Sequence, residues 1–101
     1  MAHRSVDNLA LSRWRNLDSA DALVAIADFA KQDREYKPTK SPSSTRWHVS
    51  VGGRDFEILC TGVKYLDTRS NKGGGGAVDL VMHLCEVDFK GAAKLLRSKG
   101  L

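Results

Sequence analysis

The sequence predicts an α+β fold: an N-terminal helix, a three-stranded antiparallel meander, a glycine-rich loop and two C-terminal helices. Apolar residues recur at helical spacing near both ends of the chain. In the middle they alternate with polar residues, and four consecutive glycines follow this alternating stretch. A chain of 101 residues is long enough for one hydrophobic core. We expect an arm or short helix over residues 1–17 and a single domain over residues 18–101.

The first well-marked helix begins near residue 18. Asp18 or Ser19 is a suitable N-cap, and Leu23, Ile26 and Ala30 fall at helical spacing, which predicts a helix through about residue 33. The segment KPTKSPSST, residues 37–45, contains both prolines, three serines and two threonines. This composition predicts a loop between the helix and the sheet.

A hairpin follows the loop. Gly52 and Gly53 form a two-residue turn between two segments of alternating apolar and polar residues. Pairing Val51 with Arg54 sets the register and places the apolar residues on one face. The expected pairs are Val49 with Phe56, Trp47 with Ile58, His48 with Glu57, and Ser50 with Asp55. His48 is then expected to be a surface partner of Glu57.

A third strand and two helices complete the predicted fold. A turn at Thr61-Gly62 would bring Val63 and Tyr65 beside Cys60 and Ile58, and the strand would end near residue 67. Helices are predicted from Gly76 to Cys85 and from Asp88 to Lys99. Asp88 caps the last helix at its start and Gly100 follows its end. Gly91 weakens this helix by about 1 kcal/mol relative to alanine.

The glycine run precedes the first closing helix in the segment KGGGGAVDLVMHL, residues 72–84. Backbone amides at a helix start carry partial positive charge and have no intrahelical partner, so they stabilise anions, and Arg69 and Lys72 add full charges. The alternative is a permissive turn without a ligand. A Walker loop is excluded because no Lys-Ser/Thr pair follows the glycines. Asp79 in the first helical turn is expected to hold the loop through its amides rather than to act as a catalyst.

The charge distribution favours a polyanionic partner. Sixteen Lys and Arg against twelve Asp and Glu give a net charge of +4. Residues 31–46 contain five basic and two acidic residues, residues 61–76 three and one, and residues 89–101 four and none. Such clusters attract nucleic acid, although a solvated surface would produce a similar pattern.

The sequence has no recognisable catalytic arrangement. It lacks a Ser/His/Asp or Cys/His arrangement and a pair of carboxylates, so we expect a protein that is not an enzyme. It has no apolar stretch near ~18 residues and no apolar signal-peptide region, which favours a cytoplasmic protein without a membrane partner. Two cysteines agree with a reducing compartment.

Residues 73–96, GGGGAVDLVMHLCEVDFKGAAKLL, resemble the end of the zinc-binding (CHC2-type) domain of bacterial DNA primases and of primase-like proteins of mobile elements. In that family a sheet leads through a glycine-containing loop into a helix of the pattern Gly-x-Ala-Ile-Asp-Leu/Phe. The phrase from Gly76 to Leu80 matches this pattern, and Asp88 and Phe89 match the start of the second helix. The likeness covers about residues 45–100.

The zinc ligands of that family are absent. The chain has only Cys60 and Cys85 and no Cys-x-x-Cys pair, and residues 67–70 read DTRS where the second pair would fall. His48 and His83 could join the cysteines, but all four residues fit a structural role better. We expect a degenerate, zinc-less relative that needs no metal and no cofactor.

The resemblance and the charge pattern together predict a non-catalytic protein that binds nucleic acid, preferably single-stranded DNA, in replication or transfer of a plasmid or other mobile element. Cationic side chains would follow the phosphates, aromatic rings would stack on bases, and the glycine amides would bind the backbone. The candidate residues are Tyr36, Lys37, Lys40, Arg46, Trp47, Lys64, Tyr65, Arg69, Lys72, Gly73, Gly74 and Gly75.

Two alternatives from other classes stay open. The domain could be a protein-interaction module that docks on a primase, helicase or relaxase through its helices, with an exposed apolar patch around Trp14 or Leu101. It could also be an accessory subunit of a primase or polymerase, because the family's domain often lies beside a catalytic one.

Overall fold

Four helices and a five-stranded antiparallel sheet enclose one core: the second and third helices contact the strands, and the first and fourth helices pack on the third. The structure, a computed structural model, describes residues 8–101. The strands follow one another in the sheet in chain order, so the whole sheet is a meander with the first and the last strand at its edges. The elements are α1 (Asn8–Arg15), α2 (Ser19–Ile26), β1 (Phe29–Asp33), β2 (Thr45–Val51), β3 (Arg54–Thr61), β4 (Lys64–Asp67), β5 (Lys72–Gly75), α3 (Ala77–Cys85) and α4 (Phe89–Ser98).

The predicted fold class is therefore wrong in two respects. The sheet has five strands rather than three, and two helices rather than one precede the sheet. The added strand β1 lies where the sequence predicted the end of a helix. That helix ends at Ile26, because Ala27 adopts extended backbone angles with φ −71° and ψ 149°. The Asp28 amide then donates to the Ser50 carbonyl at 2.9 Å, and the Asp28 carboxylate accepts from the Gly52 amide at 2.9 Å. Pairing with β2 thus overrides the local helical spacing.

The second added strand, β5, consists of Lys72 and three of the four glycines that were predicted to form a loop. It pairs with β4, and Tyr65 lies opposite Gly74. A Cβ added at Gly74 would collide with the Asp79 carboxylate and lie 3.1 Å from the Tyr65 ring. The absence of a side chain at Gly74 therefore lets helix α3 and the Tyr65 ring approach the strand closely. The loop is reduced to Gly76, whose φ of 92° turns the chain into α3.

The β2–β3 hairpin confirms the predicted turn and register. Gly52 and Gly53 have φ of 58° and 81°, which glycine adopts without steric cost. Each predicted pair is observed: Val51 with Arg54, Ser50 with Asp55, Val49 with Phe56, His48 with Glu57, and Trp47 with Ile58.

The register of the third predicted strand differs from the prediction. Thr61 pairs with Lys64, so Gly62 and Val63 form the turn and Val63 lies outside the strand. Tyr65 consequently lies opposite Cys60 rather than Ile58, and Ile58 lies opposite Asp67. This register places a carboxylate on the buried face of the sheet.

One hydrophobic core fills the space between the sheet and the helices. It includes Trp14 of α1, which is 1% exposed, so the described part of the predicted N-terminal arm is a helix of the domain itself. The remainder of that predicted N-terminal segment, residues 1–7, lies outside the described residues. The predicted N-cap Asp88 accepts a hydrogen bond from the Gly91 amide, and Gly100 has a φ of 79° just past α4.

Ser19 fixes helix α2 to the sheet. It is 1% exposed, and its hydroxyl lies 3.0 Å from the Gly62 carbonyl and 2.8 Å from the Lys64 carbonyl. Its amide also donates to Gly62 at 2.8 Å. Asp18 is the N-cap by position, but its side chain makes no capping hydrogen bond. Ser19 therefore connects α2 to the β3–β4 turn.

Across residues 8–101, every helix is too short or too polar to cross a membrane.

Candidate nucleic-acid interface

The predicted site residues fall into three separate regions of the fold. Five of them lie on the β1–β2 side of the sheet or in the connecting loop: Tyr36, Lys37, Lys40, Arg46 and Trp47. Six belong to β4 and β5: Lys64, Tyr65, Lys72, Gly73, Gly74 and Gly75. Arg69 lies in the turn between β4 and β5. The structure does not bring them together into one surface.

The first region is an extended hairpin, residues 29–48, which we call the arm. It contains β1, the loop that follows and the first part of β2. Its five Lys and Arg outnumber its two Asp and Glu. Lys31, Arg34, Lys37 and Lys40 are all exposed, and none of them forms an ion pair with another described residue. These four cations are thus available to a polyanion.

Arg46 differs from those four cations, because carboxylates already bind it. Its Nε donates to Asp33 Oδ2 at 3.0 Å and lies 3.4 Å from Glu57 Oε2. The hydrogen bond from Arg46 lowers the pKa of Asp33. His48, expected to partner Glu57, has its Nε2 3.8 Å from Asp33 Oδ2 instead. These contacts make Arg46 a bridge between β1, β2 and β3.

The arm also carries aromatic rings. The Arg46 guanidinium carbon lies 5.0 Å from the centroid of the Tyr36 ring, which fits a cation–π contact. Trp47 is partly exposed, and its indole nitrogen donates to Thr45 Oγ1 at 2.9 Å. Both rings are therefore held in defined positions while part of their surface stays accessible.

An open groove of about 690 Å³ runs along β1. Trp47 and His48 line it together with residues 30–35, which include two cations, Lys31 and Arg34, and two carboxylates, Asp33 and Glu35. Arg46 already binds the first of these carboxylates. A groove with cations and an aromatic ring suits a flexible polyanion that carries flat bases.

Phe29 is an exposed aromatic residue that the sequence analysis did not identify. It lies opposite Ser50 on the sheet face away from the helices, and 57% of its surface is exposed. The helix predicted through residue 33 concealed it, since the alternation of FAKQD is visible only once residues 29–33 are treated as a strand. Lys31 lies two residues further along the same face.

In the second region, Lys64 and Lys72 lie on opposite faces of the sheet. Lys64 pairs with Gly75, whereas Lys72 pairs with Asp67, and residues that face each other across strands share a face. Tyr65 between them is 6% exposed, and its hydroxyl donates to the Asp79 carbonyl at 3.4 Å. Burial raises the pKa of Tyr65 to about 12, helped by the Asp79 charge. A ring so buried cannot stack on a base.

The glycine amides do not converge on one point. The Gly76 amide donates to the Val63 carbonyl at 2.9 Å, and hydrogen-bonded pairs alternate along antiparallel strands. The amides of Gly74 and Lys72 therefore face β4, and those of Gly73 and Gly75 face the open edge. On the helix side, the Asp79 carboxylate lies against Gly74. A phosphate approaching there would meet a negative charge.

Arg69, the third region, lies near a buried hydrogen-bonded pair, Asp67 and His83. Its Nη1 is 3.4 Å from the Asp55 carbonyl. Asp67, two residues earlier, accepts from His83 at 2.7 Å and from the Arg69 amide at 3.1 Å. Burial opposes ionisation of Asp67, but the hydrogen bonds from His83 and from the Ser70 and Arg69 amides outweigh it and lower its pKa.

The histidines and cysteines named as possible metal ligands are dispersed. His83 is engaged by Asp67, and His48 lies at the surface of β2. Cys60 is 3% exposed, and burial raises the pKa of its thiol; burial also raises the pKa of Cys85. Within residues 8–101, no three His, Cys, Asp or Glu side chains are grouped so that they could hold a metal ion.

Comparison with known proteins finds a bacterial relative of the chain. The chain is 43% identical over 99 residues to a 65 kDa protein of Zymomonas mobilis subsp. mobilis, and the match covers 97% of the chain. It covers 16% of that protein, so the chain spans about one sixth of the length of its relative. No protein-family model and no solved structure matches the chain.

Proposed function

We propose that this chain is a non-catalytic nucleic-acid-binding protein that holds single-stranded DNA on the arm. The observation that carries the proposal is the composition of the arm: four exposed cations with no ion pair among residues 8–101, the rings of Tyr36 and Phe29, and the ring of Trp47 on the opposite face of the sheet from Phe29. Cations bind the phosphates and aromatic rings stack on bases, which are the two elements of sequence-tolerant single-strand binding.

A single strand suits this surface better than a duplex. The groove along β1 is open, and the Trp47 ring that lines it can stack only on bases whose flat faces are accessible, whereas a duplex stacks its bases internally. The proposed site keeps five of the predicted residues, namely Tyr36, Lys37, Lys40, Arg46 and Trp47. It adds Phe29, Lys31 and Arg34.

The cellular role rests on the resemblance to the zinc-binding domain of primases. On that basis we place the protein in the cytoplasm, in replication or transfer of a plasmid or other mobile element. The second candidate function is docking on a primase, helicase or relaxase, or service as an accessory subunit of a primase or polymerase. The apolar patch that this candidate required is reduced, because Trp14 is 1% exposed and Leu101 is half-buried.

Fluorescence anisotropy with labelled single-stranded DNA, duplex DNA and RNA at two salt concentrations tests the proposal. We expect the single strand to bind most tightly and its affinity to fall with salt. Replacing both Lys37 and Lys40 by alanine should reduce the salt slope for the single strand by about 1.4, since each phosphate contact on a single strand contributes about 0.7. Tyr36→Ala should weaken binding by about 1–3 kcal/mol through lost stacking.

The matched control is Lys94→Ala with Lys99→Ala, which removes the same charge from exposed positions within α4 and just after its end. It should leave the salt slope nearly unchanged. Absence of binding at low salt would refute the proposal, and equal effects of the two double variants would show that net charge rather than the arm decides affinity.

A further inference from the structure

A second surface lies at the opposite edge of the sheet from the arm. We infer that the open edge of β5, together with the apolar groove beside it, docks an extended acidic segment of a partner protein as a sixth strand. This inference is independent of the nucleic-acid proposal, because β1 and β5 are the two ends of the sheet.

Among residues 8–101 no strand pairs with the outer edge of β5, so the hydrogen-bonding groups there have no partner strand. In the observed register, the N–H and C=O groups of Gly73 and Gly75 point away from β4. Proteins normally protect such an edge with prolines, bulges or charged side chains. Here three successive glycines leave Lys72 as the single side chain of the strand. An incoming strand can therefore approach the backbone without steric hindrance.

An apolar groove of about 260 Å³ adjoins this edge. Gly75 and Gly76 line it on one side, and Leu11, Met82 and Phe89 line it from three helices. Phe89 is 42% exposed, an unusual state for a large apolar residue beside a cavity. Alternate side chains of an added strand would point to the helix side of the sheet, where this groove can bury one of them.

The charges around the edge favour an acidic occupant. Arg15 lines the groove, Lys72 begins β5, and Lys64 lies opposite Gly75 on the other face. Within the groove, Arg15 is balanced by the carboxylate of Asp79, so an acidic occupant is favoured by Lys72 on the strand and by Lys64 on the other face. Apolar side chains of the added strand would enter the groove beside Asp79, and the acidic side chains between them would point to the face where Lys64 lies.

The pattern of donors and acceptors distinguishes a peptide from a polynucleotide at this edge. An exposed strand presents amide donors and carbonyl acceptors in alternation, and another peptide strand satisfies both. A sugar–phosphate chain offers acceptors to the amides but leaves the carbonyls of Gly73 and Gly75 facing negative charge. The edge therefore fits a peptide better than a phosphate backbone.

The test uses a short blocked peptide of alternating Glu and Leu, titrated into isotope-labelled protein and followed by NMR. We expect downfield shifts of the Gly73 and Gly75 amide protons and changes at the Met82 methyl group. Gly75→Pro removes one outward donor at an edge position that tolerates proline, and should weaken binding at least about tenfold. Gly75→Ala is the matched control. It keeps the donor, and its Cβ would meet nothing nearer than Lys64 Cγ at 3.9 Å.

Equal binding by Gly75→Pro and Gly75→Ala, or no shift at millimolar peptide, would overturn the inference. A peptide of alternating Lys and Leu should bind at least about tenfold more weakly, and equal binding would refute the charge argument. If Gly75→Pro does not fold, the shifts of the Gly73 and Gly75 amide protons in the unsubstituted protein decide whether the peptide binds at this edge. Oligonucleotide binding should be unchanged in Gly75→Pro; its loss, without peptide binding, would assign this edge to nucleic acid.

Discussion

His83 on helix α3 donates a hydrogen bond of 2.7 Å to the carboxylate of Asp67 on β4, and this contact ties the last helical pair to the sheet. The carboxylate side chain is 5% exposed and the imidazole 18%. The rings of Phe56 and Tyr65 lie 6.0 and 5.9 Å from the His83 ring, so the pair is enclosed by aromatic groups. Neither residue was predicted to have a partner.

Asp67→Asn is expected to destabilise the fold by about 1–3 kcal/mol, the cost of a disturbed hydrogen bond at a buried charged group. The folded-state pKa of Asp67 is lowered, so its contribution is present above the unfolded pKa of about 3.9 and is lost as pH falls through the folded value. Urea denaturation at pH 7 should therefore give a lower free energy of unfolding for Asp67→Asn than for the unsubstituted protein. This difference should shrink below about pH 4. Asp18→Asn is the control, because Asp18 is exposed and makes no side-chain cap bond.

Tyr65→Phe is expected to matter in alkaline solution. The folded pKa of Tyr65 is raised to about 12 from an unfolded value near 10, so the stability held by the neutral phenol is present below about pH 10 and declines above it. Because the hydrogen bond of the hydroxyl is long, 3.4 Å, the substitution should change the free energy of unfolding at neutral pH by no more than about 1 kcal/mol. Melting temperatures measured from pH 8 upwards should fall less with pH for the phenylalanine variant than for the unsubstituted protein. A difference in melting temperature that stays constant with pH would contradict this.

Gly91→Ala is expected to destabilise the protein although it lies inside a helix. Helix propensity alone favours alanine by about 1 kcal/mol. A Cβ at this position would lie 2.9 Å from Val87 Cβ and 3.3 Å from Asp88 Oδ1, the atom that accepts the capping hydrogen bond. Such crowding costs about 1–3 kcal/mol, so we expect a net loss. Thermal unfolding measures this loss of stability, and Lys94→Ala at an exposed position is the reference. A Gly91→Ala variant more stable than the unsubstituted protein would show that the Asp88 side chain can move aside without cost.

Ser19→Ala is expected to cost about 1–2 kcal/mol. The substitution removes a buried hydroxyl and leaves the Lys64 carbonyl without its hydrogen bond at 2.8 Å. Ser12→Ala on α1 is the matched control, since Ser12 is exposed, and it should change stability by less than about 0.5 kcal/mol. Equal unfolding midpoints in urea for the two variants would refute an anchoring role for Ser19.

The candidate site could be predicted from the sequence only in part. Lys37 and Lys40 were identifiable because they sit in a polar, proline-containing segment that must be exposed. Phe29 and Lys31 could not be identified, since their helical-looking context concealed a strand. Lys64 and Lys72 are close in sequence to the glycines, but the strand register decides that they lie on opposite faces.

The β2–β3 hairpin, its register and both closing helices could be predicted from local signals: turn glycines, alternation of apolar and polar residues, and capping residues. That residues 29–33 and 72–75 are strands depends instead on long-range pairing. Each segment has weak or misleading local preference, and each is extended because a neighbouring strand supplies the hydrogen bonds that its backbone needs. The pairing of Asp67 with His83 follows from the same long-range packing.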